Sequence, residues 1–284
     1  MRPISRCRHL RLLAFALALS AFAVSAEAEG QTAAWTEPGD VDALDDRALF
    51  VIGNTLFTVL HEFGHALIDM LNLPVIGREE DAVDGFAAVT MIPDHPNEMR
   101  DALIVAVADG WRAQSDLALD DGVRPYWSEH ALDEQRHFAI VCLMVGSDQN
   151  GFYDFALEAG LPEERVKTCA QDFERMKSGW KRLLAPHRPD AKAEDHRAGS
   201  PVNVVFDQPL AEQDELFDLI QEDGLLEEAV LRLGAEINLP APVTVRFAAC
   251  EDANAYWYQS QREVTVCYEL IDEFEAIVLG AAVR

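Results

Sequence analysis

Residues 58–68 read TVLHEFGHALI, Thr58 to Ile68. On a helix, His61 and His65 lie one turn apart and share a face, so both imidazoles can bind one zinc ion from a single rigid element. Glu62 stands about 100° round the same helix, beside a metal rather than on it. From there it can take a proton from zinc-activated water and later deliver it to a leaving amine. This geometry gives HExxH its chemical meaning. The competing reading is a packing helix with two satisfied core histidines. The flanks, LFTVL before and ALIDML after, send the helix through a core. Two imidazoles and a carboxylate in that setting need partners, and a metal would supply them. Gly64 costs helix propensity and marks close approach of another element or of substrate.

A third ligand is sought in the next segment. Pro74 and Gly77 end the first helix, and GREEDAVDGFA opens the second. Glu79, Glu80, Asp81 and Asp84 are the candidates, and Glu80 and Asp84 are four apart on one face. An acidic first turn favoured by the helix dipole is the alternative. The spacing Glu80-x-x-x-Asp84 resembles zinc peptidases whose third ligand is a glutamate that starts an ExxxD pattern. That resemblance makes Glu80 the expected ligand, with Glu79 next. It gives Asp84 the task of holding a ligand histidine by its other ring nitrogen.

A tetrahedral intermediate also needs a donor for its oxyanion. His130, in WSEHALDEQRH, is the first candidate, with Tyr126 and Tyr153 behind it. A solvated or helix-capping histidine is the alternative. Asp133, Glu134 and Arg136 read as a structural ion-pair cluster at a helix start. His137 receives no role, and His95, His187 and His196 read as surface residues. Trp111, Trp127, Trp180 and Trp257 read as packing anchors.

The bulk composition narrows the setting. Among 284 residues, 23 are basic and 50 acidic, a formal charge of −27. Such a field repels phosphate backbones and anionic membrane surfaces, so nucleic acid is not an expected partner. The chain begins MRPISRCRHLR, continues with the thirteen-residue apolar run LLAFALALSAFAV and reaches a small-residue site at Ala26. This is a signal peptide, residues 1–26, with cleavage after Ala28 as second choice. The run is short for a membrane span, so no stable membrane insertion is expected after cleavage. The protein is then periplasmic or secreted, with a mature charge near −31 after loss of four arginines. Export suits disulfides. Four cysteines remain; three pairings are possible, and the nearest-neighbour one, Cys142–Cys169 and Cys250–Cys267, is preferred.

Along the chain, helices are expected at 41–73, with Asp40 or Asp42 as N-cap, and at 78–92, 96–119, 132–145 and 162–184. GSDQNG closes the fourth. Residues 186–201, rich in proline and charge, read as a linker. Beyond it come a strand at VNVVF, a helical stretch, a strand at VTVRFAAC and a hairpin in AYWYQSQREVTVCYEL. The domain plan is a helical zinc-site domain, 27–185, followed by an α+β part, 202–284, with a disulfide-pinned hairpin. The fold class is α+β, mostly α-helical.

HEFGHALIDMLNLPVIGREEDAVDGFA, WSEHALDEQRHFAIVCLMVGSD and CEDANAYWYQSQREVTVCYEL resemble a bacterial family of candidate zinc metallopeptidases, catalogued as a domain of unknown function. The resemblance implies a zincin-like, gluzincin-like peptidase holding one Zn2+, with His61 and His65 as ligands, Glu62 as base and acid, and a peptide or protein as substrate. The alternative is a non-catalytic binding or adaptor protein that keeps the zinc site. In typical zinc peptidases a sheet precedes the active-site helix. Here the strands come after it, so either they fold back beside the helix or the cleft is built differently. YWYQSQREVTV is the expected edge hairpin for a substrate strand.

Overall fold

A computed structural model describes residues 44–120, 124–189, 202–209, 214–222 and 224–280. The expected signal peptide and most of the expected linker lie outside them. The helices are α1 (Asp46–Leu71), α2 (Glu79–Met91), α3 (Glu98–Asp120), α4 (Asp133–Ser147), α5 (Gln149–Glu158) and α6 (Glu163–Leu184). A single 3-10 turn (Ala185–His187) follows α6. Next come β1 (Val202–Phe206), α7 (Asp214–Glu222), α8 (Leu225–Glu236), β2 (Val243–Ala248), β3 (Ala255–Tyr258), β4 (Glu263–Cys267) and α9 (Tyr268–Val278). The protein is α+β and mostly helical. No helix among the described residues is long and apolar enough to cross a membrane.

Helix α1 is the axis of the molecule. It packs against α2, α3, α8, α9, β3 and β4. Val51, Leu56, Leu60, Phe63 and Leu67 are almost completely buried along it. Its N-cap is Asp45, three to five residues later than expected, whose carboxylate accepts from the Ala48 N–H at 2.8 Å. Asn72 ends it in the left-handed region at φ 50°, and the Leu73 N–H returns to the Ile68 carbonyl at 3.0 Å. At two levels α1 is spaced for contact. A Cβ on Gly53 would stand 2.8 Å from the Leu103 carbonyl oxygen of α3. A Cβ on Gly64 would stand 2.9 Å from the Val83 side chain of α2. Gly64 therefore marks the approach of a neighbouring helix.

Helix α5 was not expected. Asp148 follows the last residue of α4 and also caps α5, accepting from the N–H groups of Asn150 and Gly151 at 2.9 and 3.0 Å. Polar letters that read as a loop are thus a stop and a start in succession. Cys142 of α4 and Cys169 of α6 lie at disulfide distance, as do Cys250 and Cys267, with Cα atoms 5.1 and 5.4 Å apart. Both are nearest-neighbour pairs.

The four strands form one sheet in the order β1-β2-β4-β3. β1, β2 and β4 run parallel, with Val204 beside Val245 and Val245 beside Val264. β3 is antiparallel to β4 at the edge, Trp257 facing Val264. Val243, Val245, Phe247, Val264 and Val266 are fully buried. The strands that follow the motif therefore fold back beside it: the β3 edge lies against α1. Trp257 Nε1 donates to Asp69 Oδ2 at 3.4 Å, and Gln259 donates to Asp69 Oδ1.

Candidate metal centre

The 3.6-residue period of α1 turns His61 and His65 toward α2. Their rings lie edge to face, centroids 5.0 Å apart. The first turn of α2 brings Glu80 between them. Glu80 Oε2 is 3.2 Å from His61 Nε2 and 3.5 Å from His65 Nε2. The turn of chain before α4 adds His130, whose Nε2 is 2.9 Å from the same oxygen. That oxygen is buried and no group near it meets hydrogen-bond geometry. A buried acceptor ringed by three imidazole nitrogens requires an explanation.

A metal ion fits. Two donors each about 2.0–2.1 Å from a tetrahedral zinc stand about 3.3–3.4 Å apart, close to the 3.2 and 3.5 Å between Glu80 and the two helix-borne histidines. Two imidazoles and a carboxylate are a donor set that zinc accepts with one position left open.

The outer faces of both histidines are also occupied. His61 Nδ1 is 2.8 Å from Asp84 Oδ1, and His65 Nδ1 is 2.8 Å from Glu79 Oε1. Each imidazole is thereby held by a carboxylate on Nδ1 while Nε2 faces Glu80, the arrangement usual for metal-ligating histidines. Glu79, weighed as a second-choice ligand, is instead the partner of His65. Arg136 pairs with neither Asp133 nor Glu134. Its Nε is 2.7 Å from Asp84 Oδ2 and its Nη2 2.6 Å from Asp84 Oδ1. This replaces the ion-pair cluster read at the start of α4. The contact spans 52 residues of chain, so local spacing held no sign of it.

The electrostatics follow from burial and pairing. Burial pushes Glu62 up, outweighing the His61 and His65 charges and a hydrogen bond from the Trp257 backbone that draw it down. Burial opposes ionisation of Asp84 too, but Arg136 and His61 outweigh it and hold that carboxyl below the usual range. Glu80 is held down in the same way by its three histidines. Burial works against the His65 imidazolium, yet Glu80 and Glu79 raise it to about 9. Asp84 and Glu80 likewise raise His61 against burial.

A cavity of about 380 Å³ opens beside the site, with His61, Glu62, His130, Trp111 and Asn254 among its walls. Helices α1 and α3, the chain before α4 and the chain before β3 all contribute. Of the proposed oxyanion donors only His130 reaches it; Tyr126 is exposed and Tyr153 lies elsewhere. His137 is buried, Nδ1 2.8 Å from the Ala108 carbonyl. His95 is on the surface. Trp180 is buried and donates to the Ala82 carbonyl at 3.2 Å. Trp127, expected to pack, is 83% exposed.

A helix-borne pair of histidines, a carboxylate from the next helix and a part-buried glutamate beside them make a candidate metal centre. The chain belongs to the DUF4344 family, described as "Putative metallopeptidase", whose model matches residues 21–184 and 207–282. No curated protein and no solved structure matches the chain. The two cysteine pairs at disulfide distance fit an exported protein.

Proposed function

We propose that the protein is an exported zinc-dependent peptidase that hydrolyses peptide bonds. The observation that carries this reading is the convergence of His61, His65 and His130 on the buried, unsatisfied Glu80 oxygen. His61, His65 and Glu80 would hold the metal; Asp84 and Glu79 fix the two imidazoles from behind. Zinc, when bound, would acidify a water and polarise the scissile carbonyl. Glu62 takes the proton and returns it to the leaving amine. Desolvation in its partly buried setting raises its pKa, which favours proton uptake. His130, half exposed at the cavity wall, donates to the oxyanion.

Metal analysis of the purified wild type and a peptide-library cleavage screen test the reading. The expected result is one zinc per chain, with cleavage abolished by chelator and by Glu62→Gln although the variant retains zinc. Wild type without stoichiometric zinc refutes the site. A zinc-loaded wild type that cleaves nothing in a broad library leaves the adaptor reading in its place.

A further inference from the structure

The two carboxylates behind the histidines are built differently. Glu79 is 47% exposed and makes its 2.8 Å contact with His65 at the surface. Asp84 is only 14% exposed and is gripped from its far side: the Arg136 guanidinium contacts both of its oxygens, at 2.6 and 2.7 Å. A carboxylate that only accepts from one imidazole can rotate about its own axis. A bidentate guanidinium fixes the plane of both oxygens, as a point charge cannot. Arg136 is itself held. Its side chain is 10% exposed, and its guanidinium carbon lies 3.5 Å from the centroid of the Trp111 ring. Trp111 is in turn packed edge-on to Phe57 of α1 at 6.1 Å. The chain of contacts runs Trp111 of α3, Arg136 of α4, Asp84 of α2, His61 of α1. Each of the four helices contributes one member.

We propose that Arg136 is a positioning residue for the metal centre: its two-point grip on Asp84 sets the angle at which His61 presents Nε2 to the ion. The inference rests on the zinc-site reading above. Arg136 touches neither metal nor substrate, and its effect is transmitted wholly through Asp84. Outer partners of metal-bound histidines typically change metal affinity about 10–100-fold when removed. Arg136 stands one contact further out and controls such a partner.

The test is zinc affinity by competition with a chromophoric chelator, on the full mature chain. Arg136→Met is expected to weaken zinc about tenfold or more. In an Asp84→Asn background the same replacement is expected to change affinity less than about threefold, because the intermediary is already gone. Arg136→Lys keeps the charge without the fork and is expected to stay close to Arg136→Met. Wild-type affinity in Arg136→Met, equal losses in both backgrounds, or full recovery with lysine each overturn the proposal. If Arg136→Met does not fold, Arg136→Lys decides: a tenfold loss at an unchanged unfolding midpoint supports the proposal, and wild-type affinity overturns it. A wild type that takes up no zinc sinks the metal-site reading and this inference together. A wild type that binds zinc while the variants match it sinks this inference alone.

Discussion

The glycine inside the motif allows a sharp test of how α1 and α2 set the site. Gly64→Ala and Gly179→Ala make the same chemical change in two helices. Each replaces a residue that disfavours helix by about 0.5–1 kcal/mol relative to alanine. At Gly179 in α6 a new Cβ meets no atom within 4 Å, so that gain stands alone and the variant is stabilised. At Gly64 the new Cβ would be 2.9 Å from both Cβ and Cγ1 of Val83 and 3.3 Å from a ring carbon of Phe86. Val83 is β-branched and fully buried, so it cannot swing aside. Overpacking of this kind costs about 1–3 kcal/mol. The two variants should therefore separate by about 2 kcal/mol, with Gly64→Ala the less stable. For a chain of this size that is roughly 4–8 °C in the unfolding midpoint. Urea unfolding of the metal-free proteins measures the same gap independently. Because α2 also carries Glu79, Glu80 and Asp84, relief by a shift of α2 moves all three from the histidines. Gly64→Ala alone should then lose zinc affinity several-fold. Equal stabilisation of both variants, with zinc affinity unchanged, would refute the reasoning.

Three further outcomes are expected. The fold raises His65 from 6.5 to about 9, so its protonated form favours the metal-free native state. That contribution is complete below about pH 6.5 and disappears as pH climbs to about 9. Melting curves of the metal-free protein should fall across this window, and the fall should flatten in His65→Ala. Zinc competes for the same nitrogen, so its affinity should rise over the same range by up to about tenfold per pH unit for each proton displaced; a flat affinity profile contradicts this. Separately, the Cys142 and Cys169 pair closes a loop of 27 residues, for which the chain-entropy account gives about 3.5 kcal/mol. The double replacement Cys142→Ala/Cys169→Ala should lower stability by about that amount in urea unfolding, and a loss under about 1 kcal/mol would count against a bridge there.

Much of the site's frame was legible because helical spacing is a local rule. His61 and His65 share a face by arithmetic, and so do Glu80 and Asp84. A short turn between the helices was enough to bring the two pairs together. What escaped was set by long-range packing. Glu79 sits in an acidic first turn that the helix dipole explains equally well, so its hold on His65 had no signal of its own. Arg136 finds Asp84 across 52 residues, while nearer acids offered a plausible local pairing. Trp127 has the residue type of a packing anchor, yet it stands on an exposed turn. Helix α5 was hidden because Asp148 serves two helices at once. The strands were readable from alternation, but their order was not. The parallel neighbours β2 and β4 are separated in sequence by the edge strand β3, and only the tertiary fold decides that.

The approach of the Trp257 main chain to Glu62, which draws its pKa down, has a consequence for how this site can vary. A peptide N–H is present whatever side chain residue 257 carries, proline excepted. No ordinary replacement there deletes the contact. What can delete it is a slip of one residue between β3 and α1, since neighbouring amides in a strand point in opposite directions. The Asp69 contacts to Trp257 and Gln259 hold that alignment. The support of Glu62 is thus written as an alignment of backbone rather than as a letter. An inserted or deleted residue between positions 259 and 262 would disturb Glu62 more than most substitutions within the strand itself.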